Sequence, residues 1–324
     1  MQDNIKAIRF TETGNWKDVL SMSAVPIPLP AKGEVQVRIA TRPINPSDEM
    51  FISGNYRKKP VFPQVAGLEG AGIIERTGDE VDSRLTGRKV SFRAVGTWAE
   101  KINLPVQNIR LIPDEIPLET AAQLSLNTIT AWALLEEAGL HKEQFLLFNA
   151  AASAVGKQVI QLAKTKGIRT IAIVRKPEQA AALYALGAWQ VLVWDKNETA
   201  TQVLQLTGSG VHAILDAVGG EQGSLFYKIM APFGKLIIYG RLDEGMSYYQ
   251  NGDIIYRNIT IQGFGIDAWL QRKTEKEKDE IWEKLFELIR KNELNITADR
   301  SYPLNEFLNA IEDYQQTKAK IILH

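Results

Sequence analysis

The loop at residues 149–156 reads Asn-Ala-Ala-Ala-Ser-Ala-Val-Gly and has the residue types needed to bind a phosphate group. It follows the apolar segment Phe145–Asn149, which predicts a β-strand, and precedes a predicted helix. Small residues in such a turn let the main chain approach a dinucleotide pyrophosphate at the helix N-terminus. The three glycines of the usual fingerprint become Ala151, Ser153 and Gly156, so a tight alanine-rich turn is the alternative interpretation. The position between strand and helix favours the dinucleotide site.

A basic pair, Arg175 and Lys176, follows the next predicted strand, Thr170–Val174. Enzymes that bind NAD usually carry Asp or Glu there, because a carboxylate accepts hydrogen bonds from the ribose hydroxyls. A guanidinium would instead pair with a 2′-phosphate, which a carboxylate would repel. A solvated Arg–Lys pair at a strand end is the simpler alternative. We predict NADPH as the cofactor in preference to NADH.

The composition excludes several other kinds of chemistry. The chain has 324 residues, no cysteine and three histidines, so disulfide scaffolds, Cys-ligated zinc, iron–sulfur clusters and thiol nucleophiles are absent. Lys plus Arg and Asp plus Glu both number 38, which argues against nucleic-acid or anionic-membrane partners. No apolar run approaches the length of a membrane span, and no secretory signal is visible. We therefore expect a soluble, cytoplasmic protein without a bound metal.

The elements that would position these residues suggest two domains, given about 150 residues per domain. The first hundred residues contain short strand candidates: Ile5–Phe10, Glu34–Ala40, Ala71–Thr77 and Lys89–Phe92. A long helix is then predicted over Leu118–Gly139. Strands and helices alternate after it, which indicates βαβ units and a doubly wound parallel sheet. The tail predicts two amphipathic helices and a short strand, Ile321–Leu323, and periodicity alone does not decide where this tail packs.

Five stretches, in this order, resemble one family: INPSDEMFISGNY (44–56), PQVAGLEGAGIIERTG (63–78), GTWAE (96–100), NAAASAVGKQVIQLAK (149–164) and GIRTIAIVR (167–175). They are similar to the zinc-free medium-chain dehydrogenase/reductases, in the branch of 2-enoyl thioester reductases and quinone oxidoreductases. The resemblance implies an α/β protein with a GroES-like, β-rich catalytic domain (1–122 and 264–324). A Rossmann domain with a doubly wound parallel sheet (123–263) would be inserted into it. It also implies a homodimer.

The resemblance further implies roles for individual residues. Tyr56 would be the proton donor, although an aromatic ring packed beside the turn at Gly54 is the alternative, and we assign Asn45 as a polar orienting group. Glu69 stands where zinc enzymes of the superfamily carry a His–Glu pair, with Leu68 in place of the histidine. The cofactor contacts would be Asn127, Ala152, Ser153, Ala154, Val155, Arg175, Lys176, Tyr239, Gly240, Phe264, Gly265, Ile266 and Lys320.

Two departures from the family pattern concern the cofactor and acyl sites. Ala151 and Ala154 stand where glycine is frequent, and Gly265 stands where similar enzymes carry tryptophan. The predicted reaction is the NADPH-dependent, metal-independent reduction of an activated C=C bond in a 2-enoyl thioester or an enone. Hydride would be added to the β-carbon and a proton to the α-carbon. Two alternatives stay open: an NADPH:quinone oxidoreductase, and an NADPH-binding protein without turnover.

Overall fold

Two compact units make up the protein in a computed structural model that describes residues 3–324. The first unit contains the chain up to Leu126 together with Ile296–His324, and the second contains Asn127–Asn295. The sequence predicted the same discontinuous arrangement, with divisions after residues 122 and 263. The two descriptions therefore differ mainly in the assignment of residues 264–295. None of the helices formed by residues 3–324 is both long and apolar enough to cross a membrane.

The first unit begins with short strands and short helices. Its strands up to residue 111 are β1 (Asp3–Phe10), β2 (Ser21–Ile27), β3 (Glu34–Pro43), β4 (Gln64–Val65), β5 (Gly70–Thr77), β6 (Lys89–Phe92), β7 (Lys101–Pro105) and β8 (Ile109–Leu111). Its helices are α1 (Trp16–Val19), α2 (Pro46–Ile52) and α3 (Leu118–Ala121). Alternating apolar residues such as Val35, Val37 and Ile39 point into one core, as the period of a half-buried strand requires.

The second unit is a doubly wound parallel sheet. Its strands are β9 (Phe145–Phe148), β10 (Arg169–Val174), β11 (Gln190–Val193), β12 (Val211–Asp216), β13 (Met230–Ile238) and β14 (Thr260–Gly263). Its helices are α4 (Ile129–Ala138), α5 (Ala154–Thr165), α6 (Ala180–Leu186), α7 (Thr199–Thr207), α8 (Gly220–Phe226), α9 (Asn251–Arg257), α10 (Ile266–Gln271) and α11 (Glu275–Arg290). The strand order is β11-β10-β9-β12-β13-β14, and all neighbours are parallel. The predicted parallel sheet is confirmed.

Residues 264–295 lie with this second unit because polar contacts bind them to its helices. The Arg272 guanidinium, just after α10, donates to Glu137 Oε1 at 2.6 Å. At the end of the segment, the Asn295 N–H donates to Gln161 Oε1 at 2.7 Å. Glu137 and Gln161 belong to α4 and α5, so these contacts link the segment to two helices of the second unit.

The chain then returns to the first unit through β15 (Arg300–Tyr302), α12 (Phe307–Thr317) and β16 (Ile321–Leu323). Strand β16 pairs parallel with β15 and antiparallel with β3, so it lies inside a seven-stranded sheet. The predicted strand at Ile321–Leu323 is confirmed. The pairing of Ile322 with Pro43 brings the start of β16 beside the end of β3.

The single helix predicted over Leu118–Gly139 is wrong, because the structure divides it. Helix α3 ends at Ala121, a π-helical turn covers Leu124–Thr128, and α4 begins at Ile129. The Ser125 hydroxyl donates to the main-chain oxygen of Phe92 at 3.0 Å, so this turn is bound to β6. The predicted C-terminal cap is confirmed, since Gly139 follows α4 with a φ of 64°.

Candidate active site and cofactor site

Helix α2 carries Asn45 at one end and Tyr56 just beyond the other. Asn45 is the N-cap residue, and its N–H donates to Asp48 Oδ2 at 2.8 Å, so that carboxylate braces the start of the helix. After the helix, Gly54 has a φ of +78°, and a Cβ there would lie 2.9 Å from Thr13 Cγ2. This turn returns the chain so that the Tyr56 N–H donates to Met50 O at 2.9 Å. The main chain of Tyr56 is therefore bound directly to α2.

The Tyr56 side chain is partly buried and packs against the main apolar core of the first unit. The guanidinium of Arg57 lies 5.6 Å from the centre of the Tyr56 ring. A second arginine, Arg93, follows β6. Burial lowers the pKa of the Arg93 guanidinium, whereas its neighbours Tyr56 and Glu69 raise that pKa. Tyr56 thus packs against the apolar core and has positively charged neighbours.

Three strand ends meet beside Asn45 and form a buried polar cluster. Asn45 comes two residues after β3, Glu69 immediately precedes β5, and Lys320 immediately precedes β16. Lys320 Nζ donates to Asn45 Oδ1 at 2.7 Å, and Asn45 Nδ2 donates to Glu69 Oε1 at 2.8 Å. The ammonium also lies 3.9 Å from Glu69 Oε1. Exposed fractions of 3% for Asn45, 0% for Glu69 and 7% for Lys320 place the cluster away from solvent.

Burial perturbs the ionisable groups of this cluster. It raises the pKa of Asp48 to about 8, although the hydrogen bond from the Asn45 N–H opposes the shift. Burial also raises the pKa of Glu69 and lowers that of Lys320, and in each case the attraction between these two groups opposes the effect. Two acids and one base share the space, so a protonated Asp48 leaves the Glu69–Lys320 pair electrically balanced.

The predicted phosphate-binding loop lies between β9 and α5. Ser153 is the N-cap of α5, and its hydroxyl accepts a hydrogen bond from the Gly156 N–H at 3.1 Å. A Cβ at Gly156 would lie 2.4 Å from the main-chain oxygen of Ala151, so only glycine fits there. The N–H groups of Ala154 and Val155, in the first turn, have no acceptor within the helix. This turn therefore fits a pyrophosphate despite its missing glycines.

Most of the predicted cofactor residues follow the carboxyl ends of the parallel strands. The sheet edge that they share carries Ala152–Val155 after β9, Arg175 and Lys176 after β10, Tyr239 and Gly240 after β13, and Phe264, Gly265 and Ile266 after β14. Arg175 and Lys176 are exposed, as cations that bind a phosphate must be. Ligands of doubly wound sheets bind at this edge, where the strand order reverses. The fold thus brings to one edge segments that lie 20 or more residues apart in the sequence.

Asn149 and Asp216 lie where the strand order reverses, between β9 and β12, and sequence reasoning did not select either as a site residue. Asn149 Nδ2 donates to Asp216 Oδ1 at 2.6 Å, and Asn149 Oδ1 accepts from the Ala217 N–H at 2.7 Å. Asp216 Oδ1 also accepts from the Gly219 N–H at 2.9 Å. Burial and the charge of Asp216 raise the pKa of Tyr239. A polar residue ending each of two buried strands is the signal that could have identified this pair.

Two predicted cofactor residues lie outside this strand-end group. Asn127 belongs to the π-helical turn at the start of the second unit, and only 7% of it is exposed. Lys320 belongs to the first unit, where its ammonium binds Asn45. Both predictions of cofactor contact stay predictions. In the described residues 3–324, no group of three or more carboxylate or imidazole side chains is placed to hold a metal ion.

Comparison with protein families gives two matches. The model of the alcohol dehydrogenase GroES-like domain matches residues 31–114, and the model of the zinc-binding dehydrogenases matches residues 154–286. These matches fall in the first and second units respectively. They confirm the predicted fold class, a GroES-like domain combined with a Rossmann domain.

The regions matched to individual relatives cover nearly the whole chain. The mitochondrial enoyl-[acyl-carrier-protein] reductase of Dictyostelium discoideum is 30% identical over 298 residues, which cover 88% of this chain and 83% of the relative. A Bacillus thuringiensis protein, provisionally described as an NADPH:quinone reductase, has a TM-score of 0.92 at 30% identity, covering 99% of each chain. Escherichia coli quinone oxidoreductase, solved in complex with NADPH, has a TM-score of 0.88 at 25% identity, covering 98% of this chain and 99% of its own.

Proposed function

Because the chain belongs to the zinc-free branch of the medium-chain dehydrogenase/reductase superfamily, which contains enoyl reductases and quinone oxidoreductases, we propose that it reduces the C=C bond of 2-enoyl thioesters or enones with NADPH. Its class is established more coarsely as that of an oxidoreductase using a nicotinamide cofactor. The observation that carries the finer proposal is Tyr56, a phenol held by main-chain bonds to α2 and placed in a positively charged neighbourhood. A carbon atom needs such a positioned acid, and a quinone oxygen does not.

The second unit fits NADPH through groups that the structure describes. The first turn of α5 offers N–H groups for the pyrophosphate. Because Gly156 has no side chain, the loop can lie close against the helix. Arg175 and Lys176, exposed at the end of β10, would bind the 2′-phosphate by charge-assisted hydrogen bonds. When bound, NADPH supplies the hydride that is added to the β-carbon of the substrate.

The first unit supplies the proton in this proposal. Tyr56 donates the hydrogen of its hydroxyl to the α-carbon, so that hydride and proton together saturate the double bond. The guanidinium of Arg57, 5.6 Å from the centre of the ring, places a positive charge beside the residue that gives up this proton. Both ends of the Asn45 amide are bound within the protein, the oxygen by Lys320 and the nitrogen by Glu69. Its orienting role would therefore act on α2 rather than on the substrate.

Quinone reduction is the second candidate, and the two solved structures described above favour it. The test is NADPH consumption by the purified protein with a crotonyl thioester and with a simple quinone. The proposal expects a higher kcat/KM for the thioester, with the saturated thioester as product. Turnover of the quinone alone would establish the second candidate. NADPH binding without turnover of either compound would instead establish the third interpretation, a binding protein.

Two further properties also stay predictions. A homodimer is implied by the resemblance, and sedimentation of the purified protein would measure its mass against 36.2 kDa for one chain. A cytoplasmic location was expected from the sequence, whereas curated relatives such as the Dictyostelium discoideum enzyme carry a mitochondrial location in their names. Fractionation of cells that express the full chain would decide between these locations.

A further inference from the structure

The buried cluster of Asn45, Glu69 and Lys320 takes no chemical part in the proposed reaction, yet its three side chains are hydrogen-bonded to one another. Both polar ends of the Asn45 amide are bound, the oxygen by the Lys320 ammonium at 2.7 Å and the nitrogen by the Glu69 carboxylate at 2.8 Å. A cation on the oxygen and an anion on the nitrogen allow only one orientation of the amide. Burying such charges is costly unless they are paired, so the arrangement calls for a physical role.

Asn45 connects this cluster to Tyr56 through α2. It is the N-cap residue of the helix, and its N–H is bound by the side chain of Asp48 in the first turn. The helix has seven residues and is therefore about 10 Å long. Phe51 and Ile52, in the last turn, are fully buried and hold the helix against the core. The chain then passes through Gly54, and the N–H of Tyr56 donates back to Met50 O. The first turn and the tyrosine thus belong to one short, rigid segment.

We propose that Lys320 and Glu69 are positioning residues for Tyr56: they hold the Asn45 amide from both sides, fix the start of α2, and so fix the placement of the phenol. This role rests on the proposed function of Tyr56 as the proton donor. It differs from the cofactor contact that the resemblance implies for Lys320. A contact with NADPH would require the ammonium to act on the cofactor, whereas a positioning role requires that it stay on Asn45 Oδ1.

The first experiment replaces Lys320 by Met, which keeps an unbranched side chain one atom shorter and removes the ammonium. We expect kcat for reduction of a crotonyl thioester to fall by about 10- to 100-fold, since small misplacement of a reacting group has effects of this size. The dissociation constant for NADPH should stay unchanged. The matched control is Lys32→Met, which removes an exposed lysine of the same unit. A weaker affinity for NADPH with an unchanged kcat would establish the cofactor contact and overturn the positioning role.

The second experiment combines Lys320→Met with Tyr56→Phe. If Lys320 acts through the phenol, its replacement should cause little further loss once the hydroxyl is absent. Losses that multiply in full would overturn the positioning role while leaving the proton donor established. A Tyr56→Phe variant with the wild-type rate would instead refute the proposed function, and this role with it. The two failures are therefore distinguishable.

A charge-balanced variant keeps the test decisive if Lys320→Met does not fold. Glu69→Gln combined with Lys320→Met removes both charges together, and the glutamine retains an oxygen that can accept from Asn45 Nδ2. This variant should fold with the far-ultraviolet circular dichroism of the parent and still lose about 10-fold or more in kcat. When it is combined with Tyr56→Phe, this pair of replacements should cause no further fall in kcat. A folded, charge-balanced variant with wild-type kcat would overturn the proposal.

Discussion

The candidate sites of the two units consist of different kinds of chemical groups. In the first unit, ionisable side chains are buried together, and burial shifts the pKa values of Asp48, Glu69 and Lys320. In the second unit, the candidate cofactor site consists mainly of main-chain groups and small residues at strand ends, and its two cations, Arg175 and Lys176, are exposed. The first arrangement suits holding neighbouring elements in fixed positions, and the second suits recognition of an anionic cofactor.

This difference predicts how each unit responds to substitution. A single side-chain change in the first unit should alter a rate or a pH dependence, because each buried group depends on its neighbours. A single change among the exposed groups of the second unit should alter the affinity for one cofactor and have little effect on rates or on pH dependence.

The largest effect is expected for Tyr56→Phe, which keeps the ring and its packing and removes only the acid. Enoyl reduction should fall by roughly 10²- to 10⁴-fold, or about 3–5 kcal/mol of barrier, with NADPH binding unchanged. Quinone reduction should fall much less, because a reduced oxygen takes its proton from solvent. Steady-state kinetics with both substrates measures the contrast. If both activities survive, Tyr56 is a packing residue. If both activities fall together with the thermal stability, the altered packing of the ring is the cause.

Arg175→Ala should weaken NADPH binding by about 1.5–3 kcal/mol, the value of a charge-assisted hydrogen bond. Affinity for NADH should barely change, because NADH lacks the 2′-phosphate. Titration calorimetry with both cofactors gives the comparison, and Arg290→Ala, an exposed arginine of α11, serves as the matched control. Equal losses for the two cofactors would contradict the assignment and make Arg175 a residue that supports the fold.

Asp48→Asn should change the pH dependence of stability. The pKa of Asp48 is about 8 in the folded protein and 3.8 as its ordinary value, so between these values the folded state holds a proton that the unfolded state has lost. Stability from this group is therefore fully present below pH 3.8 and decreases as the pH rises towards 8. The variant should lack this decrease, which amounts to at most about 1.4 kcal/mol per pH unit.

Urea unfolding at several pH values, from about 5 to 7.5, measures that difference in the free energy of unfolding. Glu69 and Lys320 face the same space and are present in both proteins, so the comparison measures Asp48 together with its coupling to these two groups. Asp114→Asn, at an exposed aspartate of the first unit, is the control and should keep the wild-type slope. Parallel curves for wild type and Asp48→Asn would show that Asp48 is ionised in the folded protein at neutral pH.

No effect is expected from removing metal ions. A chain without cysteine can build neither a four-cysteine structural zinc site nor a cysteine-based catalytic one. Elemental analysis of the purified protein should find no stoichiometric zinc, and activity should survive treatment with a chelator. One tightly bound metal ion per chain, with activity lost on its removal, would contradict this prediction.

The structure of the second unit could be predicted from the sequence because its signals are local. Apolar runs of strand length separated by helices indicate a parallel sheet, and small residues between strand and helix mark the turn predicted to bind phosphate. Gly139 ends its helix as predicted, because a left-handed residue after a helix is a local requirement. The division of the helix predicted over Leu118–Gly139 was missed, since the π-helical turn depends on a contact with Phe92 in a distant strand.

By itself, the sequence determined the absence of cysteine chemistry, the alternation of strands and helices, and the basic pair that follows β10. Only the tertiary structure decided that Lys320 binds Asn45 across 275 residues of chain, with Glu69 on the other side of the amide. The physical reason is strand register. The pairing of β3 with β5 and β16 brings three strand ends together, and no local pattern encodes which ends will meet. The burial that shifts the pKa values of these groups exists only once those strands have paired.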